Sequence, residues 1–160
     1  MGCAFGATSL LRRTDVGGKP LTKITTTVKL SFKVNKNIDL VFDYLTDMQK
    51  FVSVHPVISK IDKTSDKNYI VHETLKFGAI PFSFTYPVTI ENSISDKIVI
   101  IKATVFRLAK IEMKFFLKAD NSNTIIDEEI HFNSPLPALF IMKRVFREQH
   151  EKLFKNINAN

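Results

Sequence analysis

Hydrophobic periodicity changes its step along this chain, and the order of the changes leaves few folds open. From Thr22 to Val34 the apolar residues Ile24, Val28, Leu30, Phe32 and Val34 alternate with Thr and Lys, the period-two pattern of a half-buried strand. Asn35 and Asn37 then offer N-caps, and Asp39 falls in a first turn, where a negative charge suits the helix dipole. Leu40, Val41, Tyr44 and Leu45 share a helical face, with Phe42 beside it. Asp47 opens a second helical turn from Met48 to Val54, which Pro56 ends. Two helices this short cannot make a bundle, but they can close one end of a sheet.

After Pro56 the step returns to two. Val57 to Lys63 is a strand, and a Thr-Ser-Asp-Lys-Asn turn leads to a second in which Tyr69, Val71, Leu75 and Phe77 share a face. Gly78 permits a bend into Phe82, Phe84, Tyr86, Val88 and Ile90, which alternate with Ser83, Thr85 and Thr89. Val99, Ile101, Ala103 and Val105 form the next face, then Ile111, Met113, Phe115 and Leu117. Past the turn at Asp120 to Asn123 come Ile126, Ile130 and Phe132. Short polar turns join these six strands into an antiparallel meander, and the first strand brings the sheet to seven. The step then lengthens again: Pro135 and Pro137 start a helix to about Ile157, with Leu136, Leu139, Phe140, Val145, Phe146, Leu153 and Ile157 in one broad stripe. A helix of about 21 residues spans roughly 30 Å, enough to cross such a sheet. The expected class is therefore α+β: a seven-stranded curved antiparallel sheet wrapped round a long C-terminal helix, with two short helices between strands 1 and 2.

The 160 residues suffice for one domain with a substantial core. Four of the five glycines (Gly2, Gly6, Gly17, Gly18) fall in residues 1–20, so that segment reads as a flexible tail and 21–160 as the domain. Fourteen Phe against three Tyr and no Trp describe an interior with few hydrogen-bonding tips, suited to a wide apolar space. The lone Cys3 excludes a disulfide within the chain and fits a reducing, cytoplasmic compartment. No apolar run reaches the ~20 residues of a membrane span. Arginines follow the mildly apolar residues 4–11, so these do not read as a secretory signal, and Gly at position 6 departs from the myristoylation pattern that Met1-Gly2-Cys3 begins.

The net charge of +7 raises nucleic acid or an anionic membrane as partners. Most basic residues, however, are spread singly along strands, and only Lys143, Arg144, Arg147, Lys152 and Lys155 gather on one element. That pattern reads as the solvated face of the last helix, leaves an anionic membrane surface as a possible partner, and gives no reason to expect nucleic acid.

Three stretches carry a family resemblance: the first helix Ile38-Asp39-Leu40-Val41-Phe42-Asp43-Tyr44-Leu45-Thr46-Asp47, the segment Phe51 to Ile61 in which His55-Pro56 precedes a strand, and the helix Leu136 to Ile157 with charges on its outer side. In these, and in the order of its elements, the chain resembles the helix-grip fold of the START-like (SRPBCC) superfamily, most nearly its bacterial polyketide cyclase/dehydrase-like proteins. The resemblance covers residues 22–158 and implies a cavity between sheet and long helix that accepts hydrophobic ligands. It is specific for fold and poor for function, since carriers, enzymes and receptors share the architecture.

Within such a cavity, strand alternation places two carboxylates on apolar, inward faces. Glu73 interrupts Tyr69-Val71-Leu75-Phe77, and Glu128 interrupts Ile126-Ile130-Phe132. A carboxylate there would have a raised pKa and could serve as a general acid or bind a ligand hydroxyl; a bulge would instead turn it outward. His55 falls where the entrance of such folds lies. Tyr69, Phe82, Phe84, Tyr86, Phe115, Phe132 and Phe140 are the candidate ligand-lining residues, with plain core filling as the alternative reading for the phenylalanines. His72 and His131 should point outward, and His150 lies among Lys and Arg; the four histidines share no ligand spacing, so no metal is expected, and no cofactor motif occurs. The leading expectation is a monomeric or weakly dimeric carrier of a lipid, isoprenoid or polycyclic metabolite. A cyclase/dehydratase-type enzyme using Glu73 or Glu128, and a membrane-surface interaction module, remain as alternatives.

Overall fold

The computed structural model describes residues 24–134 and 139–160, without the side chains of Ile24, Phe77, Leu139, Phe140 and Ile141. The tail expected over residues 1–20, the start expected at Pro135 and Pro137, and the side chain of Phe140 lie outside the described residues.

The first strand, β1 (Ile24–Val34), is followed by α1 (Ile38–Thr46) and α2 (Met48–Val54). Asn37 caps α1 by accepting the Leu40 amide at 2.9 Å. Asp47 serves both helices: its amide donates to the Asp43 carbonyl, closing α1, while Oδ1 accepts from Gln49 and Lys50 and starts α2. Val41, Phe42 and Leu45 are the buried face of α1; Leu40, expected with them, is exposed.

Six strands follow: β2 (Ile58–Lys63), β3 (Asn68–Phe77), β4 (Ile80–Ser93), β5 (Ile98–Val105), β6 (Ala109–Asp120) and β7 (Asn123–Ser134). All pairings are antiparallel, in the order β1-β7-β6-β5-β4-β3-β2, so the meander ends by pairing β7 with β1. The single register shift lies between Ile58 and Lys60 in β2. Strands β3 and β7 stay in regular register, so Glu73 and Glu128 keep their inward phase.

The last helix, α3 (Leu139–Ala159), lies across the concave face. Leu153, Phe154 and Ile157 seal its C-terminal half, with Phe154 packed 4.6 Å from Phe32 of β1. Asn156 donates to the Val54 carbonyl, and Asn158 accepts the Asn35 amide, tying the end of α3 to α2 and β1. Lys152, Lys155, Arg144 and Arg147 are exposed. Phe132, expected among the ligand-lining residues, is instead a core side chain, 1% exposed and edge-on to Phe146 at 5.2 Å. Phe132→Ala should therefore cost about 3–5 kcal/mol in urea unfolding; a loss below 1 kcal/mol would show that its packing is not structural.

Candidate functional site

The N-terminal half of α3 stands off from β3–β6, and the space between is a cavity of about 310 Å³. Its wall is mostly apolar: Phe51 from α2, Val71 and Leu75 from β3, Phe84 and Val88 from β4, Ile101 and Val105 from β5, Ile111, Met113 and Phe115 from β6, and Met142, Val145 and Phe146 from α3. Room arises where the inward alternation supplies a small side chain. Ala103 sits between Ile101 and Val105 on β5, opposite Val88 and Ile111 on the flanking strands, and Ala109 closes the neighbouring hairpin.

Strand β4 runs past the end of β5, and the β5–β6 hairpin folds against the overhang. Phe106 packs 5.1 Å from Phe84 and 6.3 Å from Phe82. The turn carries Phe106 and Arg107 at positive φ (51° and 58°), with the Leu108 amide donating to the Val105 carbonyl, a geometry that side chains larger than Gly or Asn seldom adopt. Phe106 and Phe84 line the cavity, while Ile80, Phe82, Phe106 and Leu108 are exposed beside it. Arg107, expected at a strand end, lies at this exposed turn.

Two polar stations interrupt the apolar wall. In the first, the Tyr86 hydroxyl donates to Glu73 Oε2 at 2.7 Å, and the Gln149 side chain from α3 also bonds Glu73. Burial pushes the Glu73 carboxyl above its ordinary range, outweighing the donors that favour its charge. Burial, and then the neighbouring Glu73 charge, holds the Tyr86 hydroxyl well above the phenol range.

The second station is built from His150, Glu128 and His55. His150 Nδ1 lies 2.8 Å from Glu128 Oε2, in hydrogen-bond geometry, and 2.7 Å from Oε1, which is close in charge contact but has no hydrogen bond of its own. Both residues are buried, at 4% and 1% exposure, and only His150 reaches the cavity wall. The expectation that His150 sits with the solvated Lys and Arg residues is corrected here: it continues the buried stripe Phe146-His150-Leu153-Phe154-Ile157, whose spacing of three and four residues was the available signal.

His55 caps α2, and its Nδ1 accepts the amides of Ile58 at 3.2 Å and Val57 at 3.4 Å. That ring nitrogen is therefore unprotonated, and Nε2 carries the proton. Burial, followed by the charge of His150, lowers the His55 pKa to about 3. The group is depressed, so its contribution to stability is full above the unfolded value near 6.5 and is lost as pH falls toward 3, at up to about 1.4 kcal/mol per pH unit. Nitrogen-15 NMR at about pH 5 should show His55 as the neutral Nε2–H tautomer, whereas an unperturbed imidazole would be almost fully protonated. A charged His55 at that pH would contradict the geometry.

The structure thus brings His55, Glu73, Phe84, Tyr86 and Phe115 to one cavity wall, with Glu128 one side chain behind it. Tyr69 packs against the core outside the wall, and Phe82 stands at the exposed lip. Gln149, Phe106 and Ala103 belong to the wall without having been singled out in sequence as ligand-lining. Among the described residues no group of three His, Cys, Asp or Glu side chains is placed to hold a metal, and no helix is long and apolar enough to cross a membrane.

Residues 31–160 match the family model for CoxG, a component of carbon monoxide dehydrogenase. The chain belongs to the CoxG family. No curated protein matches it by sequence. Among solved structures, a START superfamily protein from Mycobacterium smegmatis is similar at TM-score 0.68 and 12% identity, covering 83% of this chain and 94% of that one. The Zhui aromatase/cyclase from Streptomyces aligns at TM-score 0.64 and 11% identity, over 85% and 93% of the two chains. Norcoclaurine synthase from Thalictrum flavum aligns at 0.66 and 10%, over 96% and 97%. These likenesses establish that this CoxG-family chain has the START-like helix-grip fold; at such identities they speak to fold alone.

Proposed function

We propose that the protein binds and transfers a hydrophobic small molecule (a lipid, isoprenoid or polycyclic metabolite) held between the sheet and α3. The observation that carries this reading is the apolar cavity itself, whose volume lies at the lower end of the range for small-molecule sites. The exposed lip of Ile80, Phe82, Phe106 and Leu108 supports exchange with an apolar donor or acceptor, since a hydrophobic ligand would not have to cross open water. An anionic membrane surface is one such donor, given the exposed basic residues of α3. The lone Cys3 supports action in the cytoplasm. Titration with the neutral fluorophore N-phenylnaphthylamine tests the reading: saturable one-to-one binding, displaced by a cell lipid extract, is expected, and the absence of saturable binding would reject it.

The Glu73–Tyr86 couple favours a second reading, an enzyme of cyclase/dehydratase type in which Glu73 moves a proton. Glu73→Gln keeps an acceptor for Tyr86. On the enzyme reading it preserves ligand binding and stops turnover; unchanged turnover would remove Glu73 from any chemistry. The substitution also has a defined effect on stability. Because the Glu73 pKa is raised, the cost of burying its charge is absent below the ordinary value of 4.5 and grows as pH rises through the folded value. Glu73→Gln should accordingly be more stable than the parent at about pH 7, with the gap closing toward about pH 4. A gap that widens on acidification would contradict the assignment.

A further inference from the structure

The carrier reading leaves two imidazoles facing an apolar space, and their proton arrangement follows from their partners. Three arrangements place a hydrogen bond between His150 Nδ1 and Glu128: an imidazolium with a carboxylate, a neutral imidazole donating to a carboxylate, and a neutral carboxylic acid donating to the imidazole. The second leaves a lone negative charge on a side chain that is 1% exposed, which the interior strongly disfavours. The two arrangements of zero net charge have one property in common: Nε2 carries a proton. Nε2 is the ring atom turned away from Glu128, on a residue that lines the cavity, and it has no hydrogen-bond partner among the described residues. His55 arrives at the same state independently, because the Val57 and Ile58 amides occupy Nδ1 and leave Nε2–H as the donor, also without a partner among the described residues. Both rings line the same cavity, near enough for the charge of one to bear on the other.

We propose that His150 and His55 form an acceptor-binding subsite whose Nε2–H groups hold the carbonyl oxygen of an otherwise apolar, neutral ligand. Charge complementarity selects this class. A carboxylate ligand would share the wall with Glu73 and lie one side chain from Glu128, while an ammonium head would meet two N–H donors. A carbonyl supplies lone pairs without net charge, and its place in a water-poor cavity makes each bond selective against analogues that lack it, because the buried donors then go unpaired. Glu128 acts through His150, as a positioning residue that fixes which nitrogen faces the ligand.

The inference rests on the carrier reading, and two probes separate their failures. Prodan carries a ketone on a dimethylaminonaphthalene body; the same body without the acyl group is the control. The protein should bind Prodan about five- to tenfold more tightly than the control, as one or two net hydrogen bonds allow. The infrared carbonyl stretch of bound Prodan should fall below its value in dry hexane. The double variant Glu128→Leu with His150→Leu removes one donor and its buried partner together, a replacement that buried pairs tolerate. It should bring Prodan close to the affinity of the control and leave control binding at least as strong. Equal affinity of the parent for both probes, or selectivity that survives in the double variant, would overturn the subsite while leaving the carrier standing. Binding of neither probe would overturn both.

Discussion

Ala103→Phe is expected to weaken N-phenylnaphthylamine binding by more than tenfold, while leaving the protein at least as stable as the parent. Ala103 is 5% exposed, points into the cavity from the middle of β5, and faces Val88 and Ile111 across the flanking strands. In a close-packed interior, a phenyl ring at this position would force off-rotamer neighbours at a cost of about 1–3 kcal/mol. In a cavity of about 310 Å³ the ring has space, buries its own apolar surface and occupies volume the ligand needs. The two measured quantities therefore move in opposite senses if the space is empty: affinity falls and the urea midpoint holds or rises. Lost stability with retained binding would mean that the cavity closes in solution.

His150→Leu should be the most damaging single substitution of a cavity-wall residue, lowering stability by about 3–5 kcal/mol in urea unfolding. It strands Glu128 at 1% exposure with a carboxyl whose Oε1 already lacks a hydrogen bond. Replacing both members, as Glu128→Leu with His150→Leu, removes the desolvation problem along with the attraction and should return most of that loss. The double-mutant cycle thus yields a coupling energy of several kcal/mol. Additive losses would mean that the two side chains are not a pair, and that His150 is not oriented by Glu128. Stability that survives in the single variant would mean the same.

The architecture was legible because each element announces its own period and its own stops. Asn37 and Asp47 mark both short helices, and the inward series on β5 and β6 follow directly from alternation. Alternation likewise places Glu73 and Glu128 on the inner face, because the bulge that would have turned Glu73 outward falls on the partner strand at Ile58 to Lys60. What alternation cannot give is which inward side chains meet. Phe132 and Phe115 occupy the same phase on neighbouring strands, yet Phe132 is sealed under Phe146 and only Phe115 borders the void. That distinction depends on how far α3 stands from each strand, a tertiary quantity.

His150 was obscured for a different reason. Its neighbours in sequence are charged or polar, and a titratable residue between Gln149 and Glu151 reads as solvated unless the stripe from Phe146 to Ile157 is followed through it. Once Glu128 is also inward, the pair becomes the natural solution to two buried polar groups, each satisfying the other. Tyr86 and Glu73 solve the same problem one station away. The cavity is thus a largely apolar container with two internally paired polar groups and two imidazole N–H donors facing the space, a composition suited to holding a molecule with little polarity.

The central claim is that this space is open to an apolar ligand, and mass spectrometry of freshly purified protein tests it most directly. Native spectra should show a species heavier than the chain, and denaturing spectra of the same sample should return the chain mass and release an extractable apolar molecule. A clean chain mass in native spectra, persisting after incubation with the lipid extract of the host, would contradict the account.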